Sequence, residues 1–465
     1  MTTALPFSIY YESGDGIPIF KAASITLSVG ALLWFLGQGG RSRVSKREGY
    51  LIVAMSWLGM TMFSSLPYIL SGYFPSITDA LFESVSGLTT TGATILTDIE
   101  STPQGLLFWR SMTQWIGGMG IIVLTVAVFP LLGIGGVELF VAEAPGPTSD
   151  KIHPRIKETA KRLWLIYVSL TALLCVLLCM TEMNFFDAVN HALTTMATGG
   201  FSTKNNSVAH FGSTVQYIIM FFMFMAGVNY TVLYFGFKGR FKRVWRSDEF
   251  KTYLYVLSTL FVLVTIAIYW GSEIGLEDAF RQAAFQIVSI ITTTGYITAD
   301  YTNWGGHITI LFFCLLFVGA CAGSTSGGIK LIRHLVFFKS SMLEFKRLLH
   351  PNALIRVKID KKLVAPRVLI HILVFLLLYL SLFVLGSIVM VYILRDFDHP
   401  MLSGLSAVAT ALGNVGPGIA ELGPMDNFST VPLVGKWVLA LFMLLGRLEL
   451  FTILILFLPY FWRDR

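Results

Sequence analysis

Apolar runs of about 20 residues, the length needed to cross the hydrocarbon core of a bilayer, recur along this chain. They lie near residues 18–38, 50–72, 106–133, 163–181, 213–236, 252–270, 308–338, 366–394 and 433–461. Between them fall four segments that are too short to cross and too rich in glycine and threonine to be ordinary helix, the first being "SGLTTTGATIL" at 86–96. With 55% hydrophobic and only 13% charged residues, a soluble globular fold is excluded, because such folds carry about a quarter of their residues as charge. The expected fold class is therefore an all-α polytopic membrane protein with nine spans.

Lysine and arginine cluster in alternate connections: "RSRVSKR" at 41–47, "KIHPRIKETAKR" at 151–162, "KGRFKRVWR" at 238–246, and residues 330–367. Such clusters mark the cytoplasmic face. The net charge of +7 follows from this topology and calls for no nucleic-acid partner. The first span lacks a basic lead and a small-residue cleavage site, so it reads as a retained helix. Cys175, Cys179, Cys314 and Cys321 lie in or beside apolar runs with no metal-ligand or disulfide spacing, as small buried residues do.

The four short segments align on one glycine. "FESVSGLTTTGA" carries Gly92, "VNHALTTMATGGF" Gly200, "FQIVSIITTTGY" Gly295 and "SAVATALGNVGP" Gly416. From Asp79 to Thr90 is about 12 residues, or roughly 18 Å of helix, so each half-helix must enter the membrane and return. Irregular backbone at that depth survives only where protein buries it or water wets it, and four such loops imply one central pathway. Glycine admits φ > 0 and lets carbonyls turn inward, while Thr90, Thr91, Thr198, Thr293, Thr294 and Asn414 offer further oxygens. Rings of oxygens of this kind replace the water shell of alkali cations. On this reading residues 1–40 form an extra N-terminal helix, and 41–150, 151–247, 248–350 and 351–465 are four pore repeats.

The re-entrant segments and their outer flanks (75–105, 182–210, 272–305, 395–432) hold fourteen acidic and three basic residues, a field that would concentrate cations. In "LLFVGACAGSTSGGIKLIRH", residues 315–334, Gly319, Gly323, Gly327 and Gly328 with Ser324, Thr325 and Ser326 should break the helix, since each glycine costs about 1 kcal/mol in a helix interior. A phosphate-cradling loop is excluded there, because Ile329 separates Gly328 from Lys330 and no strand precedes. In "LLGRLELFTIL", Arg447 and Glu449 sit among apolar neighbours. Two residues apart on a helix, they cannot pair with each other, so Arg447 either finds a partner elsewhere or stands as a positive barrier in a cation path.

The motifs "SGLTTTGAT", "TGGFST", "SIITTTGY", "GACAGSTSGGIK", "GNVGPG" and "GRLEL" resemble signatures of the TrkH/KtrB family of bacterial potassium transporters, over nearly the whole chain. The resemblance implies four pseudo-symmetric units of span, re-entrant loop and span around one pore. It implies a K+ filter at Thr90, Thr91, Gly92, Thr198, Gly199, Gly200, Thr293, Thr294, Gly295, Asn414, Val415 and Gly416, and a gate formed by Gly319 through Lys330 with Arg447. It also implies K+ as the transported ion, a homodimer in the bacterial inner membrane, and a cytoplasmic nucleotide-binding regulatory subunit of TrkA or KtrA type. Serine at the first filter position accompanies weaker rejection of Na+ in some relatives; glycine stands at all four positions here. One departure is the start, which has room for a single helix before residue 40 where TrkH-type members carry a hairpin, and which would leave the amino terminus outside.

Other functions fit less well. No paired carboxylates, H-E-x-x-H or nucleophile motif appears at helix depth, so an intramembrane enzyme is not expected, and His191 reads as a hydrogen-bonded half-helix residue. A Na+-permeable relative, or one coupling transport to H+ or Na+, would share the architecture. Four parallel copies favour a pore over the two inverted halves of an alternating-access transporter.

Overall fold

The computed structural model describes residues 1–38, 45–123, 152–350, 352 and 356–463. Most of the "RSRVSKR" cluster, the far end of the expected 106–133 span and the expected boundaries at 40, 150 and 351 lie outside the described residues. Among the described residues the chain is helical apart from one short hairpin that pairs Lys358–Ile359 with Lys362–Leu363. Five helices among the described residues are long and apolar enough to cross a membrane, or seven if each of two bent helix pairs counts as one span. The remaining two expected spans are the helix Gln104–Val123 and the run 308–338, which is divided into Gly306–Leu315 and Leu331–Leu349.

Two expected straight spans prove to be bent. Ser213–Gly227 and Tyr230–Phe237 meet at 109°, and Leu433–Arg447 and Phe451–Phe457 at 111°. At the first bend Val228 is extended and Asn229 caps the second helix by accepting from the Thr231 amide. At the second, Glu449 and Leu450 both take positive φ, a costly conformation for residues with a side chain. Hydropathy sees only composition, so it reads through both breaks.

The four half-helices are Ile77–Leu88, Phe185–Met196, Leu276–Ile291 and Pro400–Gly413. The longest has 16 residues, roughly 24 Å at 1.5 Å per residue, still short of the ~30 Å core. Ser76 and Asn184 cap the first two by accepting from the amides of Asp79 and Asp187. Beyond its first turns each is buried on all sides, which removes lipid as a neighbour and leaves protein to satisfy the loop that follows.

The start of the chain is more structured than its sequence implied. Helical residues Thr2–Ala4 and Leu5–Tyr10 precede the span Gly16–Leu36. Phe7 stacks on Phe108 at 4.4 Å, and Asp15 accepts from the Leu106 amide at 2.7 Å, so this lead is docked against the helix Gln104–Val123.

Candidate functional site

All four half-helices end in the same way. Thr90 N–H donates to Gly87 O and Thr91 N–H to Ser86 O. The pattern repeats at Thr198 and Gly199 (to Thr195 and Thr194), at Thr293 and Thr294 (to Ile290 and Ser289), and at Asn414 and Val415 (to Ala411 and Thr410). This is the Schellman ending, whose left-handed position is normally glycine. Here it is held by Thr90, Thr198, Thr293 and Asn414, with φ between 52° and 56°. A β-branched residue in that region is strained, and such strain persists only where the surroundings over-determine the conformation.

Two residues later comes the aligned glycine, again at positive φ: 83° at Gly92, 78° at Gly200, 79° at Gly295 and 105° at Gly416. What crowds these glycines is each other's loops. A methyl group on Gly92 would lie 2.3 Å from Gly199 O, one on Gly200 1.9 Å from Thr294 O, one on Gly295 2.1 Å from Val415 O, and one on Gly416 2.6 Å from Thr91 O. Each loop therefore presses its glycine against the carbonyl that precedes the next loop's glycine, and the fourth returns to the first. The four loops form a closed ring in sequence order, held by contacts that only glycine allows.

The glycine-rich stretch from Gly319 to Lys330 crosses against the half-helix ends that carry this ring. Its ends are drawn together where Gly319 N–H donates to Ile329 O and Leu331 N–H to Ala320 O. Thr325 Oγ1 donates to Met196 O at the end of the second half-helix, and Gly327 N–H donates to Thr293 Oγ1 at 2.6 Å. A methyl on Gly327 would lie 2.5 Å from Gly413 O. Lys330 donates to the main-chain and side-chain oxygens of Ser326, which is itself bonded to Ser324. Arg447, fully buried, donates to Thr325 O at 2.8 Å and to Gly117 O at 3.0 Å. The partner that Arg447 requires is thus the crossing loop itself, and its second bond reaches the helix Gln104–Val123.

Both bent spans turn at this loop. Cys321 N–H donates to Gly227 O and Tyr230 N–H to Gly323 O, so backbone groups freed by the first bend are paired by the loop, as membrane depth demands. At the second bend Glu449 pairs with Arg333 just after the loop. The break expected from the glycines is present, and the helices around it have bent to receive it.

The cation transport protein family TrkH matches residues 16–276 and 272–463. The chain belongs to the TrkH family. The Trk system potassium uptake protein TrkH of Escherichia coli strain K12 is 41% identical over 463 residues, covering 98% of this chain and 94% of that protein. The protein of the same description from Halomonas elongata is 38% identical, covering 100% and 96%. The crystal structure of the potassium transporter TrkH from Vibrio parahaemolyticus matches with a TM-score of 0.90 at 38% identity, covering 100% of this chain and 96% of that one. Like the TrkH family as a whole, this multi-pass membrane protein is a transporter and not an enzyme.

Several residues that brace the site in this TrkH-family chain were not singled out from sequence. Gln114 bonds to the second loop on both sides of Gly200, donating to Gly199 O and accepting from Phe201 N–H. Arg110 pairs with Glu83 at 2.6 Å, donates to Ser202 O and lies over the Phe201 ring, while Glu83 also accepts from Thr94 Oγ1 and Ile95 N–H. Lys436 pairs with Asp79 at 2.6 Å. The acidic tally of the outer flanks is corrected accordingly: Asp79 and Glu83 are buried and neutralised by cations from helices beyond those flanks. Glu249 Oε1 accepts from Ala322 N–H at 2.7 Å and Ile332 N–H at 3.2 Å, clamping both shoulders of the crossing loop. Next to "RSDEF" it looks like an ordinary first-turn acid, so no local signal marks it. His191 is a structural residue: its ring nitrogens bond to Asp187 O and Ser202 Oγ.

Proposed function

We propose that this chain is the K+-translocating subunit of a bacterial Trk-type potassium uptake system in the inner membrane. Ions pass channel-like through the four glycine loops, which act as the filter: Thr90 to Gly92, Thr198 to Gly200, Thr293 to Gly295 and Asn414 to Gly416. The loop from Gly319 to Lys330, held by Arg447, is the gate. The observation that carries this reading is the closed ring, in which every glycine abuts the carbonyl before the next glycine. Such a ring offers backbone oxygens from four sides, the arrangement that replaces an alkali cation's hydration shell. The relatives described as Trk potassium uptake proteins support K+ as the ion.

In the same proposal residues 41–150, 151–247, 248–350 and 351–465 are the four pore units and 1–40 an added helix. The protein works as a homodimer, and a TrkA- or KtrA-type nucleotide-binding subunit docks on the basic cytoplasmic face. The test is Rb+ and Na+ uptake in a bacterium lacking its own K+ uptake, with the regulatory subunit co-expressed. Wild type should take up Rb+ with little Na+, and Gly92→Ser, which sets a side chain against Gly199 O at positive φ, should lose that discrimination. Equal entry of the two ions through the wild type would overturn K+ selectivity.

A further inference from the structure

Three of the four loops brace the residue before the ring glycine with that residue's own side chain. Thr91 Oγ1 is bonded to Thr89 Oγ1 at 2.8 Å and accepts from Asn414 Nδ2 at 3.0 Å. Thr294 Oγ1 is bonded to Thr292 Oγ1 at 2.8 Å. Val415 is fully buried. The second loop has Gly199 there, followed at once by Gly200, so the dipeptide with the greatest intrinsic backbone freedom in the ring has no side chain of its own.

The missing side chain is replaced from another unit. A methyl on Gly199 would lie 2.3 Å from Gln114 Cδ, so the amide of Gln114, carried on the helix Gln104–Val123, occupies that seat. Nε2 donates to Gly199 O at 2.6 Å and Oε1 accepts from Phe201 N–H at 3.1 Å. Only this orientation of the amide matches donor to acceptor at both ends. The two bonds straddle Gly200, and Gly199 O is the oxygen against which Gly92 packs. Gln114 therefore sits at the joint between the first and second loops. A carbonyl oxygen has two lone pairs, so the bond from Gln114 leaves one free to face an ion.

We infer that Gln114 is a positioning residue for ion selection: it fixes the Gly199 carbonyl in the ring, and so sets the oxygen geometry that separates K+ from Na+. This rests on the K+ pathway proposed above. Selection of this kind depends on the size of the cage and the field of its oxygens, and both change if one carbonyl turns freely.

The experiment compares wild type, Gln114→Leu and Gln114→Met for Rb+ and Na+ uptake, in the same bacterium with the regulatory subunit co-expressed. Gln114→Leu removes both bonds at similar size, and Gln114→Met removes them while keeping an unbranched side chain in the same seat. The expected result is a Rb+:Na+ ratio about tenfold lower in both, equivalent to about 1.4 kcal/mol, with total cation entry retained. A preserved ratio, or parallel loss of both ions, in a wild-type background that prefers Rb+ would make Gln114 a packing residue only and leave the K+ pathway standing. No preference in the wild type would overturn the pathway reading and this inference together. Should Gln114→Leu fail to reach the membrane, Gln114→Met, which fills the same seat without either bond, decides alone.

Discussion

The glycine ring and the crossing loop lie against each other and are built on opposite principles. The ring is made four times over, from backbone packed on backbone, with left-handed residues locked at eight positions. The crossing loop is made once, and much of its hold comes from single side chains reaching it from other elements: Arg447, Glu249 and Thr293. A closed ring cannot loosen at one joint without disturbing its neighbours. A loop held by a few hydrogen bonds, worth about 1.5–3 kcal/mol each where a charge is involved, can be released by an input of ordinary size. The difference matches the roles proposed for them, a filter that must hold its shape and a gate that must change.

Breaking the ring should have the largest effect. Gly200→Ala sets a methyl 1.9 Å from Thr294 O, and this clash at positive φ should cut Rb+ uptake by about a hundredfold or more, of the order expected for severe core strain. A thermal melt of the purified protein should fall with it. Near-normal uptake in Gly200→Ala would show that the ring is not rigid and remove the contrast.

Releasing the crossing loop should act in the other direction. Arg447→Ala removes its bonds to Thr325 O and Gly117 O. Rb+ leak without the regulatory subunit should then rise about tenfold, as loss of a charged hydrogen bond would give, with the Rb+:Na+ ratio unchanged. A changed ratio with no added leak would place Arg447 in selection instead. Glu249→Gln is the finer probe, because it keeps an acceptor for Ala322 and Ile332 but removes the charge. Charge-assisted bonds are roughly twice as strong as neutral ones, so the leak should rise only about two- to fivefold. If Glu249→Gln leaked as much as Arg447→Ala, the loop would be held at its shoulders and not at its centre.

The parts of this site legible in the sequence are those written locally. Gly92, Gly200, Gly295 and Gly416 stand out because a recurring glycine in an apolar chain asks for a reason, and the run from Gly319 to Gly328 announces a break through helix propensity alone. The threonines at left-handed φ were not legible as such: Thr90, Thr198 and Thr293 were read as donors of oxygen, whereas their conformation runs against their own preference and is imposed by the packed ring. The bends after Gly227 and Arg447 are unmarked in the sequence because hydropathy reads through both, and at the first the freed backbone groups are satisfied by the distant loop. Gln114 and Glu249 carry no local mark, since their partners lie 85 and 73 residues away.

Order along the chain was enough to show that this protein lives in a bilayer, that four of its segments are too short to cross one, and that one helix is broken. Hydropathy and backbone freedom are properties of neighbouring residues, so order along the chain suffices to express them. Packing settles which carbonyl meets which glycine, that the four loops close into a ring, and that Gln114, Glu249 and Arg447 hold the ring and the loop against it. Those are contacts between segments far apart in sequence. In a low-dielectric interior every buried donor must find an acceptor somewhere, but which one it finds is set by how the helices pack.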